Sequence, residues 1–410
     1  MEPLTIIYLT YIFLAIYFLT VFVLIYIKNI KRMFEAPPIT KQYSLSIVVP
    51  CFNAEDVIGE TIETLLASDY KGLKKIIVAD DCSTDNSYKI AKKYEKKYPG
   101  KVLVVRTPKN TGRAAGAKNY GARFVRTDLI GFTDDDSTPK KDAISNMIGF
   151  FDEKKVAGVT SRVLVRNRRR FIEKFQAVEY KIIAFTRKLF NFIESVYVTN
   201  GPLSIYRKKS FDECNGFDMD NWTEDIELTW HLLSKGYKIR MAMAARVYTI
   251  VPNRFKIWFR QRLRWNVGGI QCMNKYKKAF FKYGMFGRFI VPYFLLAWSL
   301  AIFGFLVLVY RIVKTIIVRY LTASLSIEAQ TAIITFNEFN LSPTVLMFFG
   351  ISILILSITY NLLALAYSRE QDFKKHGLLT LIGYMFFYLT AYPAILIASI
   401  YNFIIGKKTW

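Results

Sequence analysis

Residues 44–252 are expected to fold as an open parallel α/β sheet, with membrane-bound segments on either side of it. Three observations predict this. Short β-branched runs alternate with amphipathic stretches, acidic residues gather where the runs end, and four uncharged apolar runs are long enough to cross a bilayer.

The composition agrees. The 410 residues are 52% hydrophobic and 16% aromatic, with 57 basic against 32 acidic side chains and a net charge of +25. High hydrophobicity with a large positive charge fits a membrane protein whose soluble part meets anionic lipid or anionic ligands. Nucleic acid is the rival partner for so basic a chain, but no nucleic-acid module is present. Cys51, Cys82, Cys214 and Cys272 are widely spaced and read as reduced structural thiols. With only two histidines, a zinc site or a histidine-based mechanism is not expected.

The apolar runs divide the chain into four parts. Residues 1–43 hold an anchor at 4–27 and a linker, and 44–252 form the soluble domain. Residues 253–285 are amphipathic, and 286–410 carry the spans 289–310, 345–367 and 378–406. The first run would extend about 36 Å as a helix, against a hydrocarbon core of about 30 Å. Lys28, Lys31 and Arg32 follow it and place its C-terminal end in the cytosol, so the soluble domain is expected to be cytosolic. Alternation then puts Arg311 to Pro343, Lys407 and Lys408 outside.

Within the soluble domain, Ser46–Pro50, Lys75–Asp80, Val102–Arg106 and Leu129–Thr133 read as strands, with helices near 55–67, 86–98 and 113–126. Polar residues stand at three strand ends: Cys51-Phe52-Asn53, Asp80-Asp81 and Asp134-Asp135-Asp136. Ligands of open α/β sheets bind outside the carboxyl ends of the strands, so these three ends point to one shared site.

Each cluster has a plainer reading. Asp80-Asp81-Cys82-Ser83 could be an ordinary strand-to-helix turn, or a paired acid accepting hydrogen bonds from a base and a ribose. Three adjacent carboxylates at Asp134–Asp136 repel one another unless a cation compensates, which fits Mg²⁺ or Mn²⁺ shared with two phosphates. The bland alternative is a solvated acidic turn. Gly112-Arg113 through Lys118 opens a helix with a glycine and two cations, a weak phosphate-binding signal. Trp222-Thr223-Glu224-Asp225 reads as a helix start with Thr223 as N-cap. Gln261-Arg262-Leu263-Arg264-Trp265 lies in the stretch 253–283, which has nine basic residues, no acid and several aromatics, as expected for a helix in the membrane interface.

In this order and spacing the motifs resemble the family 2 glycosyltransferases of the processive membrane type, the group of cellulose, chitin, hyaluronan and poly-N-acetylglucosamine synthases. The resemblance covers about Ser46 to Gly269 and the flanking spans. It implies a GT-A (Rossmann-like) domain inserted between transmembrane helices. It implies that Pro50, Phe52, Asp80 and Asp81 hold a uridine, with Arg113 and Lys118 near the phosphates. Asp134 and Asp136 would bind the diphosphate through Mg²⁺ or Mn²⁺, and Asp225 would be the general base. Glu224, Gln261, Arg264 and Trp265 would line the acceptor and diphosphate end, with Asn200, Gly201 and Pro202 at the membrane entrance.

The function implied is an inverting, metal-dependent hexosyltransferase of the plasma membrane. It would polymerise a UDP-sugar of the GlcNAc, Glc or GlcA class into a β-linked polysaccharide and help export it, alone or as a homo-oligomer. The runner-up transfers one sugar to a polyprenyl phosphate or other lipid. It shares the fold and metal acids, but such enzymes usually lack Gln-x-x-Arg-Trp. The loop from Gly112 to Asn119 looks more like theirs. A non-catalytic membrane subunit is the third reading; intact Asp134, Asp136, Asp225 and Arg264 argue against it.

Overall fold

The computed structural model describes residues 3–330, 345–367 and 378–406. Helix α1 (Pro3–Asn29) leads into β1 (Leu45–Cys51), α2 (Ile58–Leu66), β2 (Leu73–Asp80), α3 (Ser87–Lys97), β3 (Val102–Arg106), α4 (Ala114–Ala122) and β4 (Leu129–Phe132). The four expected strands and three helices are therefore present, shifted by a few residues at their ends. The chain continues through β5 (Thr138–Pro139), α5 (Ser145–Ile148), β6 (Val156–Val165), α6 (Phe171–Phe192), β7 (Ser204–Arg207) and α7 (Lys208–Glu213). It ends with α8 (Glu224–Ser234), β8 (Lys238–Thr249), α9 (Phe255–Lys275), α10 (Val291–Glu328), α11 (Val345–Ala366) and α12 (Leu378–Ile404).

All eight strands join one sheet in the order β3-β2-β1-β4-β7-β6-β8-β5. β3, β2, β1 and β4 are parallel, whereas β7 runs antiparallel to both β4 and β6. The parallel half reads as continuous apolar runs because both faces are covered. Ile47, Val49, Ile76 and Val78 pack into the core on one face; Val48, Ile77 and Ala79 pack into the core on the other. That alternation is the two-residue strand period in its simplest form. Chain order reverses between β1 and β4, and this switch point opens a crevice beyond Cys51 and Phe132.

Among the described residues three helices are long and apolar enough to cross a membrane: Leu9–Arg32, Phe286–Glu328 and Thr380–Ile404. The fourth expected span is the apolar helix α11, whose Ile351–Ala366 stretch is shorter. Arg311, where the expected outer segment starts, lies inside α10, which runs on to Glu328 over 38 residues, about 57 Å. Arg311, Lys314 and Arg319 end the hydropathy window, but they are good helix formers and do not end the helix. The last third of the expected outer segment, 331–343, lies outside the described residues, as do Lys407 and Lys408.

Helix α6, which the sequence reading did not mark, joins the sheet to the membrane helices. Its Phe185, Leu189 and Phe190 pack with Phe22, Tyr26 and Tyr360 of α1 and α11. Phe175 and Val178 pack with Leu365, Leu381 and Tyr384.

Candidate functional site

A cavity of about 990 Å³ starts at the switch point and continues without a break between α10 and α12. Every residue singled out from the sequence lines it except Asp80. The pleat explains the exception, since adjacent strand residues point to opposite faces. Asp80 turns inward, fully buried, and pairs with Arg106 Nε at 3.1 Å. Asp81 turns to the cavity and is held by Thr107 Oγ1 at 2.9 Å and by the Thr111 N–H and hydroxyl. Phe52 and Pro50 form the facing wall, with Phe52 half exposed.

Backbone strain clusters at the same strand ends. Asn53 (φ 51°), Cys82 (φ 61°) and Leu203 (φ 55°) all adopt left-handed conformations that non-glycine residues avoid. All four cysteines are free thiols.

The acidic triplet after β4 is short of positive charge. Burial first, and then the neighbouring carboxylates, push Asp135 up to about 7 and Asp136 up to about 6. Asp136 Oδ1 accepts from Ser137 and Thr249, both at 3.1 Å. Crowded carboxylates with raised pKa values fit a hard divalent cation. Among the described residues no group of three or more His, Cys, Asp or Glu side chains assembles that could hold a metal by itself. Gly201 lies against Asp134 so closely that a Cβ there would overlap the carboxylate.

Lys118 lies deep in the wall and not at the open end of α4. Its Nζ is 2.9 Å from Glu224 and 3.5 Å from Asp134. Burial disfavours its charge, but Glu224 and Asp134 outweigh that and raise its pKa. Arg113 reaches across the opening instead and donates to the Met219 and Asn221 carbonyls at 2.9 and 3.3 Å.

Thr223 occupies the N-cap position of α8, but its hydroxyl does not cap. It donates to Asn221 Oδ1, which also takes the Thr223 N–H at 2.9 Å. Thr223 thus holds the N-cap position expected of it, with its hydroxyl turned to Asn221. Glu224 and Asp225 follow in the first turn. Burial penalises Glu224, yet Lys118 holds it below the ordinary range. Burial and the adjacent Glu224 push Asp225 up to about 6, so it is a carboxylate able to take a proton near neutrality. Gly268 lets α9 approach this turn, since a Cβ there would overlap the Thr223 side chain.

On α9, Gln261, Arg264 and Trp265 all face the cavity. Between them Arg262 is buried and forms a network that sequence reasoning missed. The carboxylate of Glu179 on α6 accepts from Arg262 Nε at 2.9 Å and from Arg262 Nη2. It also accepts from the Tyr388 and Tyr392 hydroxyls of α12, each at 2.6 Å. The Arg262 guanidinium lies 4.1 Å from the Trp265 ring centroid and donates to Gln261 Oε1 at 2.5 Å. One carboxylate thus fixes the platform that presents Gln261 and Trp265. The available sequence signal was slight, a glutamate at Glu179 among several charged residues of an amphipathic helix.

The fold and this site are of the GT-A type found in glycosyltransferases. A family model described as "Glycosyl transferase family 2" matches residues 46–214. The chain is similar to the poly-beta-1,6-N-acetyl-D-glucosamine synthase of Staphylococcus aureus, 26% identical over 268 residues, or 64% of each chain. It is also similar to the Staphylococcus epidermidis enzyme of that name, 26% identical over 231 residues, 56% of this chain and 55% of the other. The similarity thus spans less than two thirds of these relatives' length. Among solved structures, the mannosyltransferase PcManGT from Pyrobaculum calidifontis, in complex with GDP-Man and Mn²⁺, matches with a TM-score of 0.57 and 17% identity. That match covers 97% of this chain and 99% of the other, so the shared fold includes the apolar helices. The chain is a membrane protein, and the motifs' resemblance to family 2 membrane glycosyltransferases stands.

Proposed function

We propose that this chain is an inverting, metal-dependent glycosyltransferase that adds sugars from a UDP-sugar of the GlcNAc, Glc or GlcA class to a growing β-linked polysaccharide. The observation that carries the proposal is the unbroken cavity, which leads from the strand ends past Asp225 to an aromatic wall of Phe294, Trp298 and Tyr384 on the membrane helices. Similarity to poly-N-acetylglucosamine synthases supports the donor and product class.

Phe52, Pro50 and Asp81 would hold the nucleoside, and Arg113 would close over it. Asp225 would take the proton of the acceptor hydroxyl as its oxygen attacks the anomeric carbon. The bond to the diphosphate breaks on the opposite face, turning an α-linked donor into a β-linkage. Positioned base catalysis of this kind contributes roughly 10²–10⁴-fold. Asp134 and Asp136 would hold Mg²⁺ or Mn²⁺, which when bound supplies charge for the leaving diphosphate. Arg264 adds a fixed cation at the same end, and Trp265 offers a flat apolar face to a pyranose. The basic residues after α1 favour a cytosolic catalytic domain at the plasma membrane, with the polymer leaving between the spans, alone or as a dimer.

A second reading, transfer of one sugar to a lipid phosphate, draws on the same feature, since an aromatic wall between membrane helices also suits a lipid-borne acceptor. One assay separates them. Purified protein in nanodiscs is incubated with radiolabelled UDP-sugars and Mg²⁺ or Mn²⁺, and the products are sized and extracted with solvent. A large glycosidase-sensitive product from one donor supports the polymerase. A single-sugar, chloroform-soluble product overturns it in favour of the lipid acceptor.

A further inference from the structure

Three buried cations line the cavity, and two of them have carboxylate partners. Lys118 has Glu224 and Asp134, and Arg262 has Glu179. The third, Arg187 on α6, has none among the described residues. It is 7% exposed, donates through Nη1 to the amide oxygen of Asn200, and leaves its buried Nε–H without a partner.

Asn200 does not need this contact. Its amide oxygen also accepts from Thr160 Oγ1, and its amide nitrogen donates to the Pro202 carbonyl at 2.9 Å. So the side chain expected at the membrane entrance is committed to the protein, and the guanidinium behind it keeps donors to spare. The nearest residues on its helix that share the cavity wall, Ile183 and Ala184, offer no charge, and Asp225 across the cavity attracts the guanidinium through space without pairing with it. Glu179, two turns away, is occupied by Arg262, Tyr388 and Tyr392.

A buried charge with no carboxylate in contact disfavours folding, and an unmet donor adds to that penalty. Such groups persist where a ligand completes them. We propose that Arg187 is an acceptor-binding residue, and that the group it takes is an oxyanion, a carboxylate or a phosphate, carried by the incoming acceptor. The inference rests on the glycosyltransferase reading of the cavity and deepens it by assigning a charge to the acceptor. A guanidinium suits this role, because its planar fork meets a two-oxygen anion with parallel hydrogen bonds. Its place beside Asn200 and Gly201 puts it on the acceptor side of Asp134.

The test uses the full chain in nanodiscs with UDP present, comparing wild type with Arg187→Met and Arg187→Lys. Binding is measured by titration with three probes: a uronate-terminated oligosaccharide, a neutral oligosaccharide of equal length, and a short polyprenyl phosphate. Tighter wild-type binding of one anionic probe, weakened on the order of 10- to 100-fold in Arg187→Met and partly restored in Arg187→Lys, is the expected result. Which anionic probe responds tells an acidic glycan from a lipid phosphate. Thermal unfolding provides the independent readout, because losing an uncompensated buried charge should leave Arg187→Met at least as stable as wild type. A less stable Met variant with unchanged binding of every probe makes Arg187 structural and overturns the proposal. Equal losses for neutral and anionic probes overturn the oxyanion. Failure of the wider functional reading looks different: no sugar is transferred to any acceptor, while the binding comparison still decides on Arg187.

Discussion

Removing the Glu179 carboxylate alone should damage the protein more than removing it together with its partner. Glu179 and Arg262 are 2% and 1% exposed and share two hydrogen bonds. In Glu179→Leu the guanidinium stays buried with Gln261 as its remaining polar partner, a situation that costs about 3–5 kcal/mol. The Tyr388 and Tyr392 hydroxyls also lose their acceptor, but both line the cavity and can be hydrated there, so they add little. Replacing both charges, Glu179→Leu with Arg262→Met, substitutes apolar groups of similar volume and should lie near wild type, since buried ion pairs exchange for packed apolar pairs at little net cost. The coupling between the two sites is then at least about 3 kcal/mol. Thermal unfolding of the four proteins in one detergent measures it. The single variant should melt about 5–10 °C lower and the double within about 3 °C of wild type. Equal losses in the single and double variants would refute the ion-pair argument. The double variant should remain folded yet turn over slowly, because Trp265 no longer rests on a guanidinium 4.1 Å away.

Five further outcomes follow from the site. Asp225→Asn should bind nucleotide normally and lose most turnover; near-normal turnover would remove Asp225 from the role of base. With Asp225 raised to about 6, wild-type activity should climb as pH rises through about 6 and level off above it, since only the deprotonated form accepts a proton. Lys118→Met removes a cation that favours ionised Asp225, so the same limb should move to higher pH; an unmoved limb would deny Lys118 that influence. Asp136→Ala should abolish the dependence of nucleotide binding on Mg²⁺ or Mn²⁺, read by titration with and without chelator. Gly201→Ala should cost about 1–3 kcal/mol by pressing on Asp134, with a matching loss of metal-dependent binding.

The motifs were legible because they sit where strands stop. Apolar β-branched runs ended by Cys51-Phe52, Asp81 and Asp134 carry both the sheet and its crevice in a few consecutive residues. Asp80 and Asp81 could not be told apart in sequence, where two adjacent acids look alike, while the pleat sends one to the cavity and the other to Arg106. The Glu179 network was invisible because its members lie 83, 209 and 213 positions apart, and only tertiary packing brings them together. α10 was cut short for another reason: hydropathy reports where charge begins, and Arg311 begins it without breaking the helix.

The shared wall of the cavity has a practical consequence for anyone wishing to cut this protein down. A fragment ending after α9 would retain the nucleotide crevice, the acidic triplet and Asp225, and would look complete by its motifs. It would lack Phe294, Trp298 and the tyrosines of α12, so Glu179 would lose two of its donors and the acceptor channel one of its sides. Under the proposed function such a fragment should still bind a nucleotide-sugar, while lacking one wall of the cavity in which an acceptor would sit. The apolar helices would then be part of the tooling, and solubility gained only by discarding half the workbench.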